Sequence, residues 1–196
     1  MSKVFWFDLE TTGLDCSKHA LIQLAYIIEI DNVIRESGNM FIQPFKDDLI
    51  EDTALRVNKR SRDEMFKDPF LLPSDAFKQL HAILCKYVNK FDKEDKYYPA
   101  GYNVHFDCGF LNRFFIKNGD KYYGSFFNGR NLDPKSLMAF LAYEGKITLT
   151  KHALAEACEY FKVKHENAHD ALSDVTATRD LMKMLWNKDM LFGEKK

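Results

Sequence analysis

Two acids separated by a single residue, Asp8 and Glu10, close the run Val4-Phe5-Trp6-Phe7-Asp8-Leu9-Glu10-Thr11-Thr12-Gly13. Aromatic and branched residues dominate the start of that run, which reads as a strand covered on both faces. Side chains alternate along a strand, so both carboxylates point to the same side. Burying two unpaired negative charges there is costly, and a divalent cation removes the cost. Ligands that are all oxygen select a hard ion such as Mg²⁺ or Mn²⁺. Taken alone, the pair could simply lie in water just past the strand's end, and further acids decide the matter.

Asp107 opens the segment that contains Phe110, Leu111 and Phe114, three, four and seven positions later. At helical spacing it falls within that apolar stripe and faces the core. Asp174 repeats the arrangement, sharing a helix face with Ala171, Thr178, Leu181 and Leu185. Either acid alone could be a first-turn residue favoured by the helix dipole. Together with Asp8 and Glu10 they form four carboxylates whose mutual repulsion prevents joint ionisation without cations. His169 lies five residues before Asp174, just ahead of a helix that Asp170 can cap. A helix N-terminus favours neutral imidazole, which suits a general base. Two cations about 3.5 to 4 Å apart, with His169 taking a proton from water, would hydrolyse a phosphate ester.

The elements that must position these groups can be read from the pattern. A strand ending at Glu10 and the Thr12-Gly13 turn precede a long apolar run over 20–30; Asp31-Asn32 then turns the chain into a strand over 33–43. Helical patterns follow at 53–59, 74–91, 106–118, 134–143, 151–161 and 170–187, with short extended pieces at 97–101 and near Asn131-Leu132. An antiparallel meander followed by alternating strands and helices predicts an α/β fold, a mixed sheet flanked by helices. At 196 residues, 46% apolar and 29% charged, the chain has the composition of one soluble globular domain, its core at about 3–188 and a short tail after it. No apolar stretch approaches the roughly 20 residues of a membrane span, and no secretory signal is visible, so a cytoplasmic location is expected. Four scattered cysteines give no zinc or redox spacing. A net charge of −1 argues against a long electrostatic footprint on duplex nucleic acid and leaves room for a small site gripping one chain end. The densest basic run, Arg56-Val57-Asn58-Lys59-Arg60-Ser61-Arg62, is a solvated face or a phosphate contact.

The motifs F-D-L-E-T-T-G-L, N-V-H-F-D and A-H-D-A-L-S-D, in this order, resemble the histidine-type DEDD family of 3′-to-5′ exonucleases, whose members include proofreading subunits of bacterial DNA polymerases. The resemblance runs from residue 4 to about 186. It implies a ribonuclease H-like fold with a mixed five-stranded sheet, two Mg²⁺ or Mn²⁺ ions, and release of nucleoside 5′-monophosphates from a 3′ end. Carried over by position, Asp8, Glu10 and Asp174 hold the catalytic metal, Asp8 bridges to the second, Asp107 completes the set partly through water, and His169 is the base. Thr11, beside Thr12, is placed to hold the terminal 3′-hydroxyl and Leu14 to wedge against the last base. Asn103 and Phe106 support the second motif or touch a base. His105 departs from the family pattern, which often has a small residue there.

The resemblance points to a single-stranded 3′ end as substrate. DNA is favoured over RNA because the first motif is like that of proofreading domains. A homodimer or a polymerase partner is compatible with the family. Two rival readings remain at this point. A haloacid dehalogenase-like phosphatase also begins with a strand ending in D-x-D-x-T, although Glu10 replaces its second aspartate and Asp107 and His169 would lack roles. A non-catalytic nucleic-acid-binding module could keep the same fold.

Overall fold

The computed structural model describes residues 2–149, 151, 153–165 and 170–186. Its centre is β1 (Lys3–Thr11), flanked by antiparallel β2 (Leu21–Ile30) on one side and parallel β4 (Tyr98–Ala100) on the other. With β3 (Val33–Phe41) paired antiparallel to β2, the sheet order is β3-β2-β1-β4. The hairpin between β2 and β3 turns on Asp31 and Asn32, both at positive φ, as a tight turn between twisted strands requires.

Alternation along β1 sorts its side chains into two cores. Phe5, Phe7 and Leu9 join the larger cluster, packed with α2 (Pro73–Cys85) and α3 (Val104–Lys117). Trp6, with Val4 packed beside it, faces the opposite cluster, together with Ala25 and Ile27 of β2 and with Ala171, Val175 and Met182 of α7 (Ala171–Leu185). Asp8 and Glu10 continue that second face. The residue paired with Asp8 across the sheet is the buried Ala25, whose small side chain lets α7 approach. A third cluster binds α5 (Pro134–Tyr143) and α6 (Leu154–Phe161) to the far face of α7 through Met138, Leu141, Ala157, Phe161, Leu181 and Leu185. Shorter helices are α1 (Asp52–Val57), α4 (Tyr123–Phe126) and a 3₁₀ turn at Glu64–Phe66.

The expected five-stranded sheet is corrected to four strands among the described residues. Residues 126–132 do run beside β4, but they meet it only at two isolated parallel bridges, Tyr97 with Phe127 and Ala100 with Leu132. Between the bridges Asn128 folds back to accept a hydrogen bond from the Arg130 amide, and Pro99 of β4 has no N–H to donate. A continuous fifth ladder therefore cannot form. The helix expected over 74–91 ends at Cys85, although Val88 beyond it is still buried in the larger core. No helix among the described residues is long and apolar enough to cross a membrane.

Candidate functional site

β4 stops level with Trp6, so the next stretch of that β1 edge has no strand partner. The Leu9 N–H, left exposed by this shortfall, donates to Asp107 Oδ1 at 3.2 Å. Two features bring Asp107 there. Gly101 passes so close to the strand that a Cβ would stand 2.6 Å from the Phe7 carbonyl oxygen. Asn103, in the left-handed conformation at φ 60°, then starts α3 one turn ahead of Asp107. The apolar stripe of α3 locks the helix down through Val104, Phe110, Leu111 and Phe114, and Asp107 is buried with it.

On the other side, α7 is capped by Asp170, whose Oδ2 accepts from the Ser173 amide at 3.0 Å. The cap puts Asp174 in the first turn, facing β1. Burial pushes the Asp8 carboxyl well above the ordinary carboxylate range, and Asp107, Glu10 and Asp174 push it further. Glu10 is raised from 4.5 to about 7 by burial and then by Asp174, while Arg60 partly offsets the rise. Asp107 is raised by burial, with Glu10 and Asp133 adding to the effect and the Leu9 amide opposing it. Acids from three elements thus act on one another, and burial with this repulsion favours the protonated forms of Asp8, Glu10 and Asp107.

Among the described residues no group of three or more His, Cys, Asp and Glu side chains is arranged to hold a metal ion directly. Two of the carboxylates are engaged by protein donors instead, Asp107 by Leu9 and Asp174 by His165 Nε2 at 2.6 Å. The donor set still fits a hard divalent cation. It is all carboxylate oxygen, it is largely buried, and its raised affinity for protons marks charge in want of a counterion. His169 lies outside the described residues.

The remaining sequence candidates divide by exposure. Leu14 projects into solvent, 83% exposed at the rim. Thr11 is buried, its hydroxyl donating to the Gly13 carbonyl at 2.8 Å. Thr12 is fully buried; its hydroxyl donates to the Leu49 carbonyl and accepts from the Ala20 amide. Asn103 is exposed, and Phe106 is half-buried against Phe110, with ring centroids 4.9 Å apart.

Three residues near the site escape the sequence reading. Asn58 donates from its side chain to the Thr11 carbonyl at 2.9 Å and pins the basic loop to the end of β1. Arg60 lies over the Phe41 ring at 4.8 Å and donates to Gln23, the residue paired with Glu10. The dense basic run was the signal for both. His165 left no signal in the sequence pattern. A cavity of about 640 Å³ lies toward the opposite end of β1, lined by Val4, Trp6, Tyr98, Leu132, Met182 and Trp186, and includes none of these groups.

The class of the protein follows from the family whose pattern its sequence matches: it is an exonuclease-type nuclease. The chain belongs to the RNase_T exonuclease family, whose pattern matches residues 5–182. It is 26% identical over 194 residues to the PolC-type DNA polymerase III of Halalkalibacterium halodurans, a match covering 96% of this chain and 12% of the polymerase. Its fold resembles E. coli exonuclease I bound to a dT13 oligonucleotide, with TM-score 0.77 at 20% identity over 98% of this chain and 43% of that one. The zinc-bound form of the same enzyme with single-stranded DNA gives 0.75 at 22% identity over 94% and 40%. The chain thus spans about an eighth of that polymerase and less than half of those structures. Family membership displaces the phosphatase reading.

Proposed function

We propose that this chain is a 3′-to-5′ exonuclease of the histidine type, removing nucleoside 5′-monophosphates from single-stranded DNA. The observation that carries the reading is the crowding of buried acids around β1: Asp107, Glu10 and Asp174 all act on Asp8, and burial, then Asp174, raises Glu10 to about 7. Two hard cations, Mg²⁺ or Mn²⁺, would neutralise that field and supply a water nucleophile acidified at neutral pH. Asp8, Glu10 and Asp174 would hold one site, with Asp8 shared by the second and Asp107 completing it. The protein's own work is positional. β1 presents two ligands from one face, α3 and α7 each bring one more, and His169 accepts the water's proton.

Thr11, fixed by Asn58 and Gly13, supports the strand end against which a terminal sugar would sit, and exposed Leu14 is free to meet a base. DNA is favoured because the named relative is a DNA polymerase and the fold neighbours are structures with DNA oligonucleotides. Digestion of matched 3′-labelled and 5′-labelled DNA and RNA oligonucleotides, with Mg²⁺, Mn²⁺ or chelator and with Asp8→Asn as control, tests the reading. Stepwise shortening from the 3′ end, abolished by chelator and by the substitution, is expected. Absence of any metal-dependent cleavage would instead favour a non-catalytic binding module on this fold.

A further inference from the structure

The chain between α6 and α7 does more than connect them. α6 ends at Phe161; the next residue, Lys162, takes the left-handed conformation at φ 57°, and the Val163 amide then donates back to the Cys158 carbonyl at 2.8 Å. Val163 itself packs on the cluster that joins α5, α6 and α7. Two residues later the His165 side chain, only 7% exposed, delivers Nε2 to Asp174 Oδ1 at 2.6 Å. Asp174 is also largely covered, with 16% of its side chain exposed. It is the acid whose charge acts most strongly on Glu10. In the tautomer that carries its proton on Nε2, the imidazole is the donor in this bond.

We propose that His165 is a positioning residue for the candidate metal site. Its N–H fixes one oxygen of Asp174 and thereby aims the other toward Asp8 and Glu10. The inference rests on the two-metal reading above. Three features support it. The donor lies two residues after Val163, which packs against the core cluster of α5, α6 and α7. The bond is short and shielded from water, the setting in which a charge-assisted hydrogen bond is strong. Asp174 acts on both Asp8 and Glu10, so the donor holds the one α7 acid that reaches the β1 pair. Outer partners of this kind typically change metal affinity or activity by about 10- to 100-fold when removed.

The role differs from that of a proton acceptor, and the difference can be measured. Mn²⁺ binding to the full chain would be followed by the electron spin resonance of free Mn²⁺ and by calorimetry, for wild type, His165→Leu and His165→Gln. His165→Leu should weaken Mn²⁺ binding by about 10- to 100-fold, and cleavage should recover at saturating Mn²⁺. His165→Gln, which keeps an N–H donor, should restore most of the affinity. Melting in chelator reports whether each variant folds. If neither does, the wild-type His165 Nε2–H proton resonance should survive a Mg²⁺ titration, and its loss would overturn the proposal. Unchanged or tighter Mn²⁺ binding by a folded His165→Leu would also overturn it, since the imidazole would then be irrelevant to the site or a competitor for Asp174. Failure of the wild type itself to bind Mn²⁺ or Mg²⁺ would remove the two-metal reading, a result distinct from equal binding by wild type and variant.

Discussion

Replacing Glu10 by Gln should stabilise the metal-free protein at neutral pH and leave it unchanged in mild acid. Glu10 titrates near 4.5 in an unfolded chain and at about 7 in the fold. The folded state therefore holds this proton more tightly than the unfolded state. Below pH 4.5 both states are protonated and the group costs nothing. As pH rises toward 7 the unfolded chain releases its proton first, so stability is lost progressively across this window. At about 1.36 kcal/mol per pH unit, the full loss is about 3 kcal/mol. Asp8 and Asp107 lose stability in the same direction, and Glu10 contributes to raising both, so Gln also relieves part of their burden. For a chain of this length the gain corresponds to a melting temperature roughly 6 to 12 °C higher. Circular dichroism melts of wild type and Glu10→Gln in chelator, stepped from pH 4.5 to 8, would measure it. The curves should meet at pH 4.5 and separate steadily to pH 7. A separation that is constant with pH, or that closes as pH rises, would refute the account of Glu10 as a carboxyl destabilised by burial and by Asp174. Saturating Mn²⁺ should reverse the order, stabilising wild type more than the variant.

His169→Ala should lower the cleavage rate by roughly 10² to 10⁴ while leaving Mn²⁺ affinity unchanged, as titration and single-turnover kinetics would show. A weakened affinity with a normal rate at saturation would reassign His169 to positioning. Gly101→Ala forces a Cβ to within 2.6 Å of the Phe7 carbonyl oxygen and 3.1 Å of the Val104 side chain, neither of which can swing away freely. A loss of about 1 to 3 kcal/mol in denaturant unfolding is expected, with reduced cleavage, because the start of α3 carries Asp107. Unchanged stability would mean that β1 and α3 are less tightly joined than the distance implies.

Much of the site was legible because it depends on short-range periodicity. Alternation alone puts Asp8 and Glu10 on one face, and helical spacing alone turns Asp107 inward with Phe110, Leu111 and Phe114. Other features depend on contacts distant in sequence. Leu84 and Val88 continue a helical spacing, yet the chain leaves the helix after Cys85 and buries Val88 from the irregular stretch beyond it. The broken fifth strand depends on which backbone amides face β4, a matter of tertiary register. His165 was invisible for a related reason. Nothing in K-V-K-H distinguishes an imidazole that reaches Asp174 from one that points to water, since the outcome depends on the left-handed turn at Lys162 and on Val163 packing against the cluster of α5, α6 and α7.

The same face of β1 carries both core residues and the candidate site, which ties the geometry of that site to packing. Val4 and Trp6 meet the apolar part of α7 through Val175 and Met182, and Asp8 and Glu10 meet its first turn at Asp174. How near Asp174 lies to β1 is set by small buried residues, Ala25 opposite Asp8 and Ala171 at the helix start. Ala25→Val adds two methyl groups at that contact and offers α7 no lateral escape, because Leu181 and Leu185 fix its other side on α5 and α6. The first turn of α7 must then lift away from the sheet. Asp174 would move away from Glu10, lowering the Glu10 pKa from about 7, so the window over which the metal-free protein loses stability should close at a lower pH, with a smaller total loss, even though no charged group was altered. A core substitution that moves a titration in this way would separate control by packing from control by local chemistry, and an unmoved titration would show that α7 is not held as its contacts imply.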